Sequence, residues 1–274
     1  MSACSLFDTH THFDVAEFNA DRIELARQAK RVGVEALILI GFVAERFPQL
    51  LAVHRELQQF NTAPKSYLAP GLHPVYIEQH QPEHLDHLQQ ILQTQACVAV
   101  GEIGLDTFLP QHKQPENLAK QREYFAAQLE LARQYNKPVL LHIRKAHAES
   151  LQLLKQQRFQ LGGIAHAFSG GIEEAKAFVK LGFKIGVTGQ ITNPNAKKLR
   201  NVVQQLGAEH LVLETDCPDM TPLCCQLSDQ QRTRNTPVNL PYVLKGLAET
   251  LAMPETDLAD ILWQNSLAAL HLTR

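Results

Sequence analysis

The pattern with the clearest chemical potential lies near the N-terminus, where Asp8, His10 and His12 alternate in the segment DTHTH. In an extended strand, side chains two residues apart point to the same face. Two imidazoles on one face can bind one metal ion, and Asp8 could accept the second ring N–H of a ligating histidine and fix its tautomer. Two satisfied polar histidines at a strand end would give the same pattern. The motif alone therefore does not decide between the two interpretations.

A second candidate is an acid that directly follows an apolar strand. Glu102 in VAVGEIGLD would be costly to bury without a cation or hydrogen-bond donors. A carboxylate in this position can also bridge two ions. Asp106 follows four residues later, and a cap of the next turn explains it better than direct ligation does. We therefore expect Asp106 to support the ligands from behind.

Three further strand ends carry residue types that bind metals. His142 ends PVLLHIR, His166 lies in GIAHAFSG, and LVLETD presents Glu214 and Asp216 on one face with Asp216 nearer the C-terminal end. Each histidine alone could be a core residue. Together, five strand ends supply the nitrogen and oxygen donors that Zn²⁺ or Mn²⁺ accepts. We interpret this combination as a metal centre.

The segments that must position these residues alternate between short apolar runs and longer stretches of helical period. Eight strands are predicted, in SLFDTH, EALILI, SYLAP, CVAVGEIGLD, KPVLLHIR, GGIAHAFSG, FKIGV and HLVLETD. Helices are predicted at residues 21–31, 44–60, 117–135, 148–157, 172–181 and 196–206, and from residue 239 to the C-terminus. Such alternation predicts a parallel sheet, which could be open or closed.

The distribution of the polar residues favours the closed form. A barrel builds its active site from the C-terminal ends of many strands, whereas an open doubly wound sheet concentrates its chemistry near one switch point. No GxGxxG or Walker A sequence marks such a point. We therefore predict an α/β protein in which residues 1–274 form a single (β/α)₈ TIM barrel.

Composition and charge limit the classes of protein and of partner that suit this chain. The chain has 274 residues, of which 45% are hydrophobic, and a formal net charge of -2, so it suits one barrel domain and has no global basic field for nucleic acid. Five cysteines without CxxC spacing predict neither a disulfide framework nor a zinc ribbon. We expect a soluble, cytoplasmic protein without a membrane partner. A polar stretch after the third strand is predicted to be solvated surface, including His80, His84 and His87.

Seven short motifs resemble those of the TatD family of metal-dependent hydrolases. DTHTHFD, GLHP, GEIGLD, LLHIR, HAFSG, LETDCPDM and RNTP occur in family order and span residues 8–237, so the resemblance covers nearly the whole chain. The LETDCPDM form is most similar to the YjjV-like branch. Two departures concern substrate preference, because Asp219 stands where other branches carry a tyrosine and Thr107 stands where an aromatic residue is common.

The resemblance implies an amidohydrolase-like barrel with two divalent ions, which could be Zn²⁺, Mn²⁺ or Mg²⁺. One implied ion has the ligands His10, His12, Glu102 and Asp216, and the other has the ligands Glu102, His142 and His166. Glu102 would thus bridge the ions and belong to the catalytic centre. Such ions lower the pKa of a water molecule and stabilise charge on a phosphodiester. In the wider superfamily the strand-eight aspartate accepts the proton of the attacking water, so Asp216 is assigned a double role as ligand and general base.

Several residues near strand ends are candidates for substrate contact, namely His73, Arg144, Ser169, Arg234 and Asn235. Arg144 could present a bidentate fork to a phosphate, with Lys145 beside it. Ser169 opens a Ser-Gly-Gly turn before a helix, where backbone N–H groups can bind a phosphate, and His73 could contact a leaving group. A surface charge, a helix N-cap, a turn and a solvated loop are the simpler explanations of the same residues.

Three functions are compatible with these features. The resemblance implies a deoxyribonuclease or phosphodiesterase, which could act as a 3'-5' exonuclease. A metal-dependent ester or amide hydrolase, with a lactone, a cyclic amide or an aminoacyl-tRNA ester as substrate, would use the same centre. A non-enzymatic barrel would hold fully saturated ions. Arg144, Arg232 and Arg234 favour phosphate, so we expect DNA or another phosphodiester as substrate and favour a monomer.

Overall fold

The computed structural model describes residues 4–228 and 231–273. Within this part of the chain, eight strands lie in the eight segments that the sequence predicts. They are β1 Leu6–Thr11, β2 Val34–Ile40, β3 Lys65–Ala69, β4 Val100–Asp106, β5 Val139–Arg144, β6 Gly163–Ala165, β7 Phe183–Val187 and β8 Leu211–Leu213.

Nine α-helices accompany these strands in the described residues. They are α1 Arg22–Arg31, α2 Phe47–Leu57, α3 Pro82–Thr94, α4 Pro115–Gln134, α5 His147–Gln156, α6 Ile172–Lys180, α7 Lys197–Leu206, α8 Leu240–Leu251 and α9 Glu255–Ala269. Every predicted helix is present, and the predicted C-terminal helix is divided into α8 and α9. Helix α3 was not predicted from the sequence. None of the helices in residues 4–228 and 231–273 is long and apolar enough to cross a membrane.

The strands form a closed barrel. All neighbouring strands are parallel, in the orders β1-β2-β3 and β4-β5-β6-β7-β8. The two groups are joined on one side by a bridge between Leu68 and Cys97, and on the other by a bridge between Thr11 and Cys217. Backbone hydrogen bonds of 2.9 Å support both junctions. The predicted (β/α)₈ barrel is therefore confirmed.

Two apolar layers fix the direction in which strand side chains point. The smaller layer fills the barrel and contains Phe7, Ile38 and Leu140, whereas the larger layer lies between strands and helices. Trp263 of α9 packs at the N-terminal end of the barrel, with its ring centroid 5.6 Å from that of Phe7. Because Leu140 points inward, the residues two and four positions later on β5 face the opposite, C-terminal opening.

Two glutamines of α4 complete the backbone hydrogen bonding at this opening. The side chain of Gln128 accepts from the N–H of Leu72 (2.7 Å) and donates to its C=O (3.1 Å). The side chain of Gln121 accepts from the N–H of Asp106 (2.8 Å) and donates to its C=O (3.0 Å). Both glutamines are buried, so the helix holds irregular backbone that would otherwise lack partners.

The prediction of a solvated histidine stretch is wrong for His80. This residue is fully buried, and its Nε2 lies 2.9 Å from the C=O of His73, to which it donates. Its ring stacks on Tyr124 at a centroid distance of 5.6 Å. His84 is partly buried and His87 is exposed. His80 precedes α3, and His84 and His87 lie within this helix.

We predict that Gln128→Leu lowers the free energy of unfolding by about 1–3 kcal/mol, because the N–H and C=O of Leu72 lose their partners in a buried place. Gln134→Leu is the matched control, since Gln134 is exposed on the same helix, and it should change stability by at most about 0.5 kcal/mol. Urea denaturation of the three proteins measures both effects. Equal stability of the two variants would show that the hydrogen bonds of Gln128 with Leu72 do not stabilise the fold.

Candidate metal centre

The two histidines of β1 point to the same cavity. Nε2 of His10 lies 3.4 Å from Nε2 of His12. Both nitrogens face the carboxylate of Glu102, at 3.1 Å from His10 and 3.4 Å from His12. Glu102 lies at a register shift in the pairing of β4 with β5, between Gly101 and Ile103. The shift brings this carboxylate to the barrel axis beside the imidazoles.

The ends of β6 and β8 bring two more donors to this cavity. Nε2 of His166 lies 3.5 Å from Oδ1 of Asp216, and Oδ1 of Asp216 is 3.8 Å from Nε2 of His10. The rings of His10 and His166 are stacked, with centroids 3.4 Å apart. Donors from widely separated parts of the chain therefore meet at one point.

The histidine of β5 approaches Glu102 from the other side. Nδ1 of His142 lies 2.8 Å from Oε1 of Glu102. Six predicted donors thus surround one cavity, and three groups of ligand atoms within 4.8 Å could hold an ion: His10, Glu102 and His166; His10, His12 and Asp216; and His73, Glu102 and His142. His166 lies beside His10 here, whereas the family resemblance assigns these two histidines to different ions.

Carboxylates behind two of the histidines select which nitrogen faces the cavity. Nε2 of His142 donates to Oδ2 of Asp106 (2.9 Å), which leaves Nδ1 free to ligate. Nδ1 of His166 lies 3.0 Å from Oε1 of Glu214 as an ion pair without hydrogen-bond geometry, and Nε2 faces Asp216. Such partners fix the tautomer and raise the basicity of a ligand. The alternation in LETD placed Glu214 on the face of Asp216, and this signal could have identified its supporting position.

Asp106 combines its supporting position with a second task. Its Oδ1 accepts from the backbone N–H of Phe108 at 2.8 Å and lies 3.1 Å from Nδ1 of His112. The turn after β4 is therefore built on the same carboxylate that orients His142. Both sequence interpretations of Asp106, a turn cap and a support for the ligands, describe its actual contacts.

The structure corrects the expectation for Asp8. Its carboxylate does not reach a histidine ring but accepts from the N–H of Thr215 at 2.9 Å and from the Thr215 hydroxyl at 2.6 Å. Asp8 is fully buried, and burial raises its pKa to about 7. The side chain therefore joins β1 to the segment after β8. It sets the distance between the donors of these two strands.

His73 faces the same centre from the GLHP turn. Its Nδ1 accepts from the N–H of Val75 at 3.0 Å, so the proton of the neutral ring lies on Nε2. Nε2 is 3.4 Å from Oε1 of Glu102. Burial lowers the pKa of His73 to about 4, which keeps the ring neutral at pH 7. In this arrangement His73 presents an N–H donor to the centre and no free lone pair.

An open cavity of about 930 Å³ lies above the donors. Its wall includes Phe42, Tyr76, Arg144, Ser169 and Gln190. It therefore has room for a ligand considerably larger than an ion and its waters.

The sequence matches the model of the family described as TatD related DNase over residues 7–271. The chain belongs to the TatD family. It is 37% identical over 265 residues to YjjV of Escherichia coli (strain K12), called an uncharacterized metal-dependent hydrolase, and the match covers 96% of each chain. The crystal structure of YjjV superimposes with a TM-score of 0.87 at 36% identity, and covers 99% of this chain and 100% of YjjV.

Other TatD relatives have a named activity. The chain is 32% identical to the 3'-5' ssDNA/RNA exonuclease TatD of Edwardsiella piscicida, over 89% of this chain and 90% of the relative. The family and the donor cluster together place the chain among the metal-dependent hydrolases.

Electrostatics provides an independent test of whether the TatD-family centre suits cations. Burial would raise the pKa of Glu102, but the neighbouring imidazoles of His73, His10 and His166 outweigh it and lower that pKa well below its usual range. Burial would lower the pKa of His142, but hydrogen bonds to Asp106 and Glu102 raise it to about 9. The imidazole of His142 thus takes up a proton beside two buried carboxylates. Divalent cations on these nitrogen and oxygen donors would supply the same positive charge, so the residues fit them.

The structure places two of the predicted substrate contacts elsewhere. The guanidinium of Arg234 pairs with the carboxylate of Asp21 at 2.6 Å, and Asn235 is fully buried. The Asn235 amide donates to the C=O groups of Thr215 (2.9 Å) and Asp219 (2.8 Å). The expectation that Arg234 and Asn235 bind substrate is therefore corrected, because both side chains hold the loop after β8 in place.

Ser169 lines the cavity, but the phosphate site expected in its turn is not supported. The N-cap of α6 is Gly171, not Ser169. The N–H of Gly171 donates to the carboxylate of Glu174 at 2.6 Å. An acidic side chain thus already occupies the position that an anion would take at this helix.

We predict that Glu214→Gln lowers the affinity for Zn²⁺ or Mn²⁺ by about 10–100-fold, because a neutral amide supports His166 less well than a carboxylate does. Isothermal titration of chelator-treated protein measures the affinity. Glu173→Gln is the control, since Glu173 is exposed on α6. Unchanged affinity in Glu214→Gln would show that Glu214 does not act on the centre.

Proposed function

We propose that the chain is a divalent-metal-dependent nuclease that hydrolyses phosphodiester bonds of DNA. The observation that carries the proposal is the set of six donors, which includes the buried Glu102 carboxylate, at the base of an open cavity with Arg144 in its wall. The named activity of the TatD relatives, which are 3'-5' ssDNA/RNA exonucleases, supports the same class of substrate.

The residues of the cluster would hold two divalent ions. The proposed ligands are His10, His12, Glu102, His142, His166 and Asp216. When bound, such ions lower the pKa of water and supply positive charge for phosphate oxygens. The closed barrel contributes rigidity, because each ligand stands within a hydrogen-bonded strand or at most three residues after its end.

Asp216 is proposed as the general base. Burial would raise its pKa, but the imidazoles of His166, His10 and His12 outweigh burial and lower it. The carboxylate is therefore ionised at neutral pH and can accept the proton of an attacking water. Its backbone N–H donates to the C=O of His10 at 3.0 Å, which fixes the base beside the β1 donors.

His73 is proposed as a donor to the leaving oxygen. Its neutral ring presents Nε2–H to the centre, and the N–H of Val75 holds the ring in this orientation. An N–H aimed at an oxygen that gains charge in the transition state stabilises that charge without prior reorganisation. His80 supports this placement, because it donates to the C=O of His73.

We predict that Asp216→Asn abolishes turnover while metal content falls only in part, because the amide can still ligate but cannot accept a proton. The assay follows end-labelled single-stranded DNA after chelator treatment and after return of Mg²⁺, Mn²⁺ or Zn²⁺, and atomic emission gives the metal content. Near-normal activity of the variant would refute the assignment. A wild-type protein that cleaves lactones, cyclic amides or aminoacyl-tRNA esters, but no DNA, would replace the nuclease with an ester or amide hydrolase.

We predict that His73→Phe lowers kcat on DNA by about 10²–10³-fold, the usual effect of removing one such donor, with the metal content unchanged. The loss should be smaller on a p-nitrophenyl phosphodiester, since its leaving group needs less stabilisation. Parallel kinetics on the two substrates and a metal analysis provide the test. A fall in metal content that matches the fall in activity would instead identify His73 as a ligand.

A further inference from the structure

The cavity rim between β4 and β5 is a rigid structure with an aromatic and a cationic side chain. The backbone N–H of Thr107 donates to the C=O of Arg144 at 2.9 Å, and the Thr107 hydroxyl donates to the C=O of Lys145 at 2.9 Å. The guanidinium carbon of Arg144 lies 3.6 Å from the ring centroid of Phe108. Phe108 is 43% exposed. The two strand ends therefore present a fixed arginine on an aromatic platform.

Among residues 4–228 and 231–273, no carboxylate forms an ion pair with Arg144, whereas two arginines of the loop after β8 are neutralised. Arg232 pairs with Asp219 at 2.8 Å, and Arg234 pairs with Asp21 at 2.6 Å. Of these three arginines, only Arg144 is therefore available to an anionic ligand.

Arg144 also stands at a defined distance from the metal donors. It follows His142 by two residues on β5, which places its Cα roughly 6.6 Å further along the strand and on the same face. His142 contacts Glu102 at the centre, so Arg144 reaches outward from it. A phosphodiester bound at the centre would have its neighbour along an extended strand in this direction.

We propose that Arg144, held by Phe108, binds the phosphate next to the scissile one and makes the protein selective for a polynucleotide strand over an isolated phosphodiester. The inference rests on the proposed function. A guanidinium binds phosphate with two parallel hydrogen bonds. Its contact with the ring fixes the plane of the fork before the ligand arrives, which reduces the entropy lost on binding.

The experiment compares two substrates, a single-stranded oligonucleotide and bis(p-nitrophenyl) phosphate, with the metal-loaded protein. Arg144→Met should lower kcat/KM on the oligonucleotide by about 10- to 100-fold, mainly through KM, and change it less than about twofold on the small ester. Phe108→Ala should give a smaller loss with the same selectivity. Arg27→Met is the matched control, because Arg27 also lies over a phenylalanine ring (Phe60, 5.2 Å) but on the outer helix α1.

Salt dependence supplies a readout that a merely structural role would not change. Each phosphate contact with a single strand contributes about 0.7 to the slope of log affinity against log salt. We expect the slope for kcat/KM on the oligonucleotide to weaken by about that amount in Arg144→Met and to remain unchanged in Arg27→Met. Equal losses on both substrates, or an unchanged slope, would overturn the inference. The inference would also be overturned if the wild-type protein cleaved the small ester but no oligonucleotide. If the wild-type protein cleaved neither substrate, the proposed function itself would be wrong.

Discussion

The arrangement of the whole mouth depends on one buried charge, the carboxylate of Glu102. With an exposed fraction of 1%, this group has lost nearly all contact with water, and burial of an unpaired carboxylate is prohibitive. Four imidazoles surround the carboxylate, each with a ring nitrogen within 3.4 Å of a Glu102 oxygen: those of His10, His12, His73 and His142. The closed barrel brings residues from distant parts of the chain to this one carboxylate. Burial of the Glu102 charge therefore depends on the fold.

The supporting contacts extend this dependence outward from the centre. Asp106 accepts a hydrogen bond from His142, Glu214 forms an ion pair with His166, and Gln121 holds the backbone of Asp106. Asp8 joins the β1 end to the segment that carries Asp216. Each contact uses a buried polar group that would be costly if left alone. The positions of the donors are therefore set by hydrogen bonds from several elements, and not by the strands alone.

The parts of the site that depend on local pattern were predictable from the sequence. His10, His12 and Asp216 follow from the alternation of side chains at strand ends, and the barrel follows from the alternation of strands and helices. The assignments that failed depend on partners far along the chain. Arg234 pairs with Asp21, 213 residues away, and Asp8 pairs with Thr215, 207 residues away. The helix α3 was missed because its polar, proline-flanked start obscured the apolar face of Leu88, Ile91 and Leu92.

The two positions at which the sequence departs from the expected TatD motifs both lie on the rim, and each lies beside an arginine. The carboxylate of Asp219 neutralises Arg232. The hydroxyl of Thr107 joins the two strand ends beside Arg144, which has no ion-pair partner among the described residues. Neither Asp219 nor Thr107 belongs to the groups of candidate metal ligands. Because the centre supplies the chemistry and the rim supplies the charge that a substrate meets first, differences in substrate choice within the family should originate at such rim positions.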